Sequence, residues 1–470
     1  MSKNTYNKTY VWIIAAVAAT GGLLFGFDTG VISGAIPFLR QDMGLDESQV
    51  ENLTAFGLIG AVIGALLSGR ITDIFGRKKV ILVAAVIFAT GALWSGVAAT
   101  FDSLLYSRLY LGLAIGAASF ATPLYIAEVS PTKIRGTLVS MFQLLITVGI
   151  LVSYLSDSAL ANNENLASWR PMFYVGVFPA LILLFGMLFL PETPRWLMSK
   201  GREEQALKVL KKIEDPSSID ASMQMMRDEI SKDAEQMGWS EVFKPWLRNA
   251  LIIAMGIMFF QQFVGINTVI YYSPEIFLKA GFEGNEAAIW ASVSVGVINV
   301  LFTILSLYLI DSMGRRKLFF LGTTGIVVSL FFMGLGFALQ ATLGDMTKWF
   351  LVVSMLCYIA FFAISLGPLG WLFISEVFPL RVRGVGASIG SLANWGFNTL
   401  VVWTFFKMIK YFNTLFASES LGAASAFWFF GLMGVIALVW GNKFLPETKG
   451  ISLEKIEQHW RDGKKPNELK

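Results

Sequence analysis

The sequence predicts an all-α membrane protein, with twelve transmembrane helices in two six-helix pseudo-repeats and short cytoplasmic helices between the halves. Three observations predict it. First, 55% of the 470 residues are hydrophobic and only 15% are charged, where a soluble globular protein carries roughly 25% charged residues. Second, apolar runs of the roughly 20 residues needed to cross a hydrocarbon core recur along nearly the whole chain. Third, the two halves of the chain repeat one another.

The apolar runs place spans near 11–36, 52–72, 80–100, 104–127, 138–158 and 171–190, and a second set near 249–273, 287–310, 317–340, 347–375, 386–409 and 423–445. The first run exceeds the 7–15 residues of a signal-peptide core and has no small-residue cleavage site after it, so it is expected to remain as the first span. Between the sets, residues 195–248 are too polar to cross. Leu207, Leu210 and Ile213 keep helical spacing there, and Glu204 precedes Lys208 by one turn. The expected organisation is a first bundle over 1–194, a helical linker over 195–248, a second bundle over 249–447 and a tail over 448–470.

The repeat is specific. Asp73-Ile-Phe-Gly-Arg-Lys-Lys79 returns as Asp311-Ser-Met-Gly-Arg-Arg-Lys317, each between the second and third spans of its half. Glu128-Val-Ser-Pro-Thr-Lys-Ile-Arg-Gly136 returns as Glu376-Val-Phe-Pro-Leu-Arg-Val-Arg-Gly384 after each fourth span, and Pro191-Glu-Thr-Pro194 returns as Pro446-Glu-Thr-Lys449 after each sixth. An even number of spans per half puts all six motifs on one side. Their lysines and arginines mark that side as cytoplasmic by the positive-inside rule, with both termini there. Acids dominate the other side: Asp42, Asp46 and Glu47 follow the first span, and Asp157 and Glu164 follow the fifth.

Several functions are excluded by what the chain carries. The net charge of +4 reports loop asymmetry rather than a nucleic-acid footprint. The single cysteine, Cys357, lies in an apolar run, so no intrachain disulfide and no cysteine metal site can form. No intramembrane nucleophile–base pair, metal cluster or phosphate loop is present, so an enzyme, a metal site and a resident cofactor are not expected. The expected partners are the lipid bilayer and the transported solute, with the chain acting as a monomer.

Charged side chains inside a span are costly and usually functional. Two stand out, Asp28 in span 1 and Arg108 in span 4, both placed by their spacing in the outer third and able to pair. The only histidine, His459, lies in the polar tail, so a carboxylate is the remaining proton carrier. Burial favours the neutral acid and a nearby guanidinium favours the carboxylate, so small movements of Arg108 would load or release a proton at Asp28. The alternative is a fixed ion pair that only holds helices together. Amides supply both donor and acceptor to a hydrated polyol. Gln143, Gln261, Gln262, Asn267, Asn299 and Asn394 sit in span interiors, and Trp371 follows a Gly367-Pro368 pair where a kink is expected. Interhelical hydrogen bonding is the competing explanation for each amide.

These motifs, with Gln261-Gln-Phe-Val-Gly-Ile-Asn267, Tyr271-Tyr272, Pro191-Glu-Thr-Pro-Arg-Trp196 and Gly367-Pro-Leu-Gly-Trp371, resemble the sugar porter family of the major facilitator superfamily over essentially the whole chain. The segment 121–157 is most similar to bacterial galactose-proton and xylose-proton symporters. The resemblance implies a bacterial inner-membrane symporter importing a monosaccharide with a proton, a hexose such as galactose or glucose or a pentose such as xylose or arabinose, by alternating access. A facilitative uniporter and a nontransporting sugar sensor are the alternatives. Proton-coupled members carry an aspartate and an arginine at the positions of Asp28 and Arg108. Sugar contacts are implied at Phe25, Gln143, Gln261, Gln262, Asn267, Asn299, Trp371 and Asn394. Tyr271 is set with them, although it and Tyr272 fit an outer gate or ordinary packing equally. Animal glucose facilitators have a glutamate where this chain has Ala363, so their gating details do not transfer. The motif charges are expected to form a cytoplasmic gate: Asp73, Arg77, Glu128, Arg135 and Glu192 in one half and Asp311, Arg315, Arg316, Glu376, Arg383 and Glu447 in the other.

Overall fold

The computed structural model describes residues 8–131, 134–233, 239–379, 382–451 and 453–469. Among the described residues there are helices and turns and no strands, as apolar segments without interior water require, because a helix satisfies its own backbone groups. Among the described residues eleven segments are long and apolar enough to cross a membrane: Lys8–Asp42, Glu47–Phe75, Arg77–Val97, Phe101–Val129, Arg135–Leu160, Leu166–Phe189, Pro245–Lys279, Asn285–Met313, Arg315–Ala338, Met346–Glu376 and Glu419–Phe444. The remaining long helix, Arg383–Phe416, has 34 residues and is more polar, with Ser388, Ser391, Asn394 and Asn398 in its first half. In chain order these twelve are spans 1 to 12, with Arg383–Phe416 as span 11.

Span 7, expected to be continuous, and span 10, expected to kink, are both interrupted. Span 7 breaks at Gly265, whose φ of 87° is left-handed, and bends again at Tyr272 ahead of Pro274. Span 10 breaks at Ser365, two residues before the expected Gly367-Pro368 kink. The displacement follows from proline chemistry, since the Pro368 ring collides with the carbonyl four residues earlier, at Ile364. Span 1 runs to Asp42, so Asp28 sits near the middle of the helix rather than in its outer third. Span 5 runs to Leu160 and takes in Asp157, which is fully buried rather than part of an acidic loop.

Close packing in the first half is made by small residues. Span 1 presents Gly22, Gly26, Gly30 and Gly34, one per turn, to span 5, and a methyl group on Gly26 would run into the Ile146 carbonyl. Gly60 and Gly64 meet span 4 backbone in the same way. Such rows let backbones touch where lipid supplies no hydrophobic drive.

The repeated motifs gather on one face, here the motif face, together with the linker helices Glu203–Ile213 and Ile219–Asp233 and the tail helix Leu453–Arg461. Trp460 of the tail is buried and donates to the Val377 carbonyl at 2.9 Å, beside the motif glutamate Glu376.

Candidate functional site

Between the halves lies a cavity with about 690 Å³ of empty space, open solvent included. Span 1 lends Phe25 and Thr29, span 5 Gln143, Thr147 and Ile150, span 7 Gln261, Gln262 and Asn267, and span 8 Asn299 and Thr303. Span 10 adds Phe362, Ala363 and Trp371, and span 11 adds Asn394 and Asn398. Eight of the nine residues expected to contact sugar therefore converge. The exception is Tyr271, which lines a smaller neighbouring cavity instead.

The amides divide into two kinds. Gln261 is the hub of a chain: its Nε2 donates to the Leu366 and Gly367 carbonyls at 2.7 and 3.0 Å, next to the Ser365 break. Its Oε1 accepts from Gln262 at 3.2 Å and from Asn394 at 2.5 Å, and Asn267 donates to Gln262 Oε1 at 2.7 Å. Every donor and the acceptor of Gln261 are thus engaged with protein, and its role in this state is to shape the wall. Gln143 and Asn299, by contrast, line the cavity and have no hydrogen-bond partner among the described residues. Asn398 is 3% exposed, and its Oδ1 has no partner. It is not among the contacts expected from sequence, although its spacing of four from Asn394 puts both on one face of span 11 and could have found it.

The expected ion pair forms. Both Nη atoms of Arg108 donate to the two carboxylate oxygens of Asp28, with Nη2 at 2.8 Å from Oδ2 and the Nη1–Oδ1 contact completing a two-pronged pair. Asp28 is 4% exposed and Arg108 1%, and the guanidinium lies 5.9 Å from the Phe173 ring centre. The pair borders the smaller cavity with Tyr271 and Trp395. Phe25 and Thr29 line both cavities, so they form the partition between ion pair and amides. Trp395, whose ring centre is 4.9 Å from that of Phe25, is a member of this partition that sequence reasoning misses.

In this state the motif charges pair within each half. In the first half Arg77 pairs with Glu128 at 3.1 Å and Asp73 at 3.2 Å, and Thr193 donates to Glu128 at 2.6 Å. In the second half Arg315 pairs with Glu376 at 3.0 Å and Asp311 at 3.5 Å, and Thr448 donates to Glu376 at 2.5 Å. Glu192 accepts the backbone N–H of Lys78 at 3.2 Å, and Glu447 those of Arg315 and Arg316 at 3.0 and 3.1 Å, so each caps the span after its motif glycine. Burial pushes the Glu192 carboxyl above its ordinary range, against the pull of the Thr193 and Lys78 amides and Arg77. The side chain of Arg316 reaches the Asn442 carbonyl at 3.1 Å. Arg135 is exposed and donates to the Ser130 carbonyl at 3.5 Å. The Arg383 side chain lies outside the described residues.

Bonds between the halves gather on the opposite face. Glu51 Oε1 accepts the backbone N–H groups of Phe406 and Lys407 at 2.7 and 3.1 Å, and Trp403 donates to Asn52 at 2.8 Å. Arg40 pairs with Glu275 and Lys279 with Glu47, both at 3.6 Å. Tyr154 donates to the Ile270 carbonyl at 2.7 Å, and Ser33 and Ser273 meet at 3.5 Å. The strip toward the motif face is open instead. Ser140, on the Gln143 face of span 5, is half-buried, and Ser375, one turn beyond Trp371, is exposed. The bonds that seal the cavity therefore lie on the opposite face, and the motif-face side is exposed at Ser375.

Residues 14–460 match the family described as "Sugar (and other) transporter". The chain belongs to the sugar transporter family. This transporter is 40% identical over 456 residues to the glucose transporter GlcP of Staphylococcus epidermidis, covering 97% of this chain and 98% of that one. It is 36% identical to the galactose-proton symporter of Escherichia coli, covering 98% and 97%, and 38% identical to a D-xylose transporter of Levilactobacillus brevis, covering 93% of each. Among solved structures it resembles the major facilitator proton:xylose symporter XylE bound to 6-bromo-6-deoxy-D-glucose, with a TM-score of 0.82, 34% identity and coverage of 97% and 100%. The inward-open XylE of Escherichia coli gives a TM-score of 0.79, 34% identity and coverage of 96% and 100%. The transporter thus has the major facilitator fold and is a multi-pass membrane carrier, not an enzyme.

Proposed function

We propose that this transporter imports a monosaccharide together with a proton across a bacterial inner membrane, with the motif face and both termini in the cytoplasm. The cavity is then in its inward-facing state. One observation carries the reading: a buried carboxylate–guanidinium pair lies one partition away from a cavity whose wall includes the unpartnered amide groups of Gln143, Asn299 and Asn398. Polyol hydroxyls would satisfy Gln143, Asn299 and Asn398, and Trp371 would cover an apolar ring face. Phe25, Thr29 and Trp395 would transmit sugar occupancy to the pair, since a shift of Phe25 alters both cavities. Support for a sugar and a proton as partners also comes from relatives named as galactose-proton and D-xylose carriers.

In this cycle Asp28 takes a proton when the outside is open, sugar binds at the amides, the halves rock, and Arg108 reclaims the carboxylate as the proton leaves inside. One proton moving through 100 mV supplies about 2.3 kcal/mol, roughly a fiftyfold sugar gradient. In proteoliposomes with an imposed pH gradient, galactose, glucose, xylose and arabinose compete for labelled uptake. Asp28→Asn is expected to abolish uphill accumulation while keeping sugar binding and exchange. Uphill accumulation by that variant would refute the assignment. Sugar movement independent of the pH gradient in the parent protein would favour a uniporter.

A further inference from the structure

Asp157 lies near the opposite-face end of span 5 and takes no part in the amide cavity or the Asp28–Arg108 pair. It is 0% exposed, and neither carboxylate oxygen has a hydrogen-bond partner. It packs on Gly34 of span 1, where any side chain larger than hydrogen would collide with it. One turn earlier in span 5, Tyr154 bonds across the halves to Ile270, and Ser33, beside Gly34, meets Ser273 of span 7. The acid is therefore enclosed by the same contacts that seal this face.

The charged groups on neighbouring elements face other partners or solvent; Arg40 on span 1 keeps Nε and Nη2 buried without a hydrogen-bond partner among the described residues and lies 3.6 Å from Glu275. Also on span 1, Asp28 is held by Arg108 of span 4, and Asp42 by the Trp169 indole. On span 4, Asp102 is exposed. On span 6, Arg170 donates to the Gly96 and Ala98 carbonyls, and on span 8 Glu286 accepts from the Asn163 amide. The nearest titratable neighbour on its own helix is Tyr154, committed to Ile270. An ionised carboxylate here would have lost water and gained no donor in its place, which is the costliest arrangement for a buried charge.

We propose that Asp157 is a second proton-binding site, distinct from Asp28, that fills as the opposite face closes and empties as that face opens. A proton is bound to a carboxylate oxygen when spans 1 and 7 close over it, and returns to water when they part. Acid outside then favours the closed face through Asp157, independently of sugar. The inference rests on the alternating-access reading and not on the identity of the sugar.

The test places spin labels on Ala99→Cys and Glu419→Cys, both exposed on the opposite face, in a Cys357→Ser background, and measures their separation in sugar-free lipid nanodiscs from pH 8 to pH 5. The ratio of closed to open populations is expected to rise roughly tenfold or more with acidification. Asp28→Asn should retain a titrating component, whereas Asp157→Asn and Asp157→Ser should flatten it to less than about twofold. The infrared difference between the parent and Asp157→Asn should show a carbonyl band of a protonated acid, and the same band should be present in Asp28→Asn. Full titration in the Asp157 variants, no titration in the parent, or absence of the band would each overturn the proposal. Failure of the symport reading is seen separately, as sugar uptake indifferent to a pH gradient.

Discussion

Gln261 and Asn299 are both amides in the wall of one cavity, yet their hydrogen bonds go to different places. Gln261 is tied to two backbone carbonyls and two other amides, while Asn299 has no hydrogen-bond partner among the described residues. Replacing Gln261 with alanine leaves several buried groups unpaired, at about 1–3 kcal/mol each. Gln261→Ala is accordingly expected to lower the melting temperature of the detergent-solubilised carrier and to weaken sugar binding. Asn299→Ala should leave the melting temperature nearly unchanged and weaken sugar binding up to about tenfold, the value of one hydrogen bond of about 0.5–1.5 kcal/mol. Equal thermal loss in both would contradict the division. Residue type and position in apolar spans are enough to pick these amides out of the sequence. They do not separate hub from ligand, because that depends on the Ser365 break, which presents the Leu366 and Gly367 carbonyls to Gln261. Asp157 is misleading for a related reason: an acid near the end of an apolar run looks like a loop residue until the helix is seen to continue past it.

At the scale of elements, the motif glycines have distinct duties. Gly76 and Gly314 turn the chain between the second and third spans of each half at φ of 99° and 88°, and the carboxylates of Glu192 and Glu447 press against them. Gly136 and Gly384, in the other repeated motif, have ordinary φ, and a methyl group added at either would meet nothing within 4 Å. A left-handed conformation costs a non-glycine residue roughly 1–2 kcal/mol before any collision is counted. Gly76→Ala is therefore expected to destabilise the folded carrier by more than about 1 kcal/mol, while Gly136→Ala stays within about 0.5 kcal/mol of the parent in the same thermal assay. The repeat itself is legible from the three motif pairs. What the motifs do is not, because pattern matching cannot tell a bond within a half from one across halves. Arg77–Glu128 and Arg315–Glu376 stay closed within their own halves while the motif face is open.

For the whole molecule, the seam on the opposite face decides which side of the cavity is open. Glu51 is 1% exposed and bonds to two backbone amides of span 11, whereas Glu47 and Lys279 form a partly exposed pair. Hydrogen bonds to a charged group contribute about 1.5–3 kcal/mol, and exposed ion pairs about 0–1 kcal/mol. Glu51→Gln is expected to move the population toward opening on that face by tenfold or more, and Glu47→Gln by less than about fivefold, read by the same label separation. Comparable shifts from both would show that the buried bonds do not govern the seam. Twelve spans and two halves follow from hydropathy and repetition alone. The state of the carrier does not, since both faces are encoded in one sequence and only the pattern of contacts tells which is shut.

Span 11 gives up apolarity in order to bring Asn394 and Asn398 to the cavity. Amides at mid-bilayer oppose insertion of an isolated helix. Its passage from the insertion machinery into lipid therefore depends on segments made before it, above all span 7, whose Gln261 receives the Asn394 amide. The same polarity that brings two amides to the cavity makes this helix a dependent passenger during biogenesis.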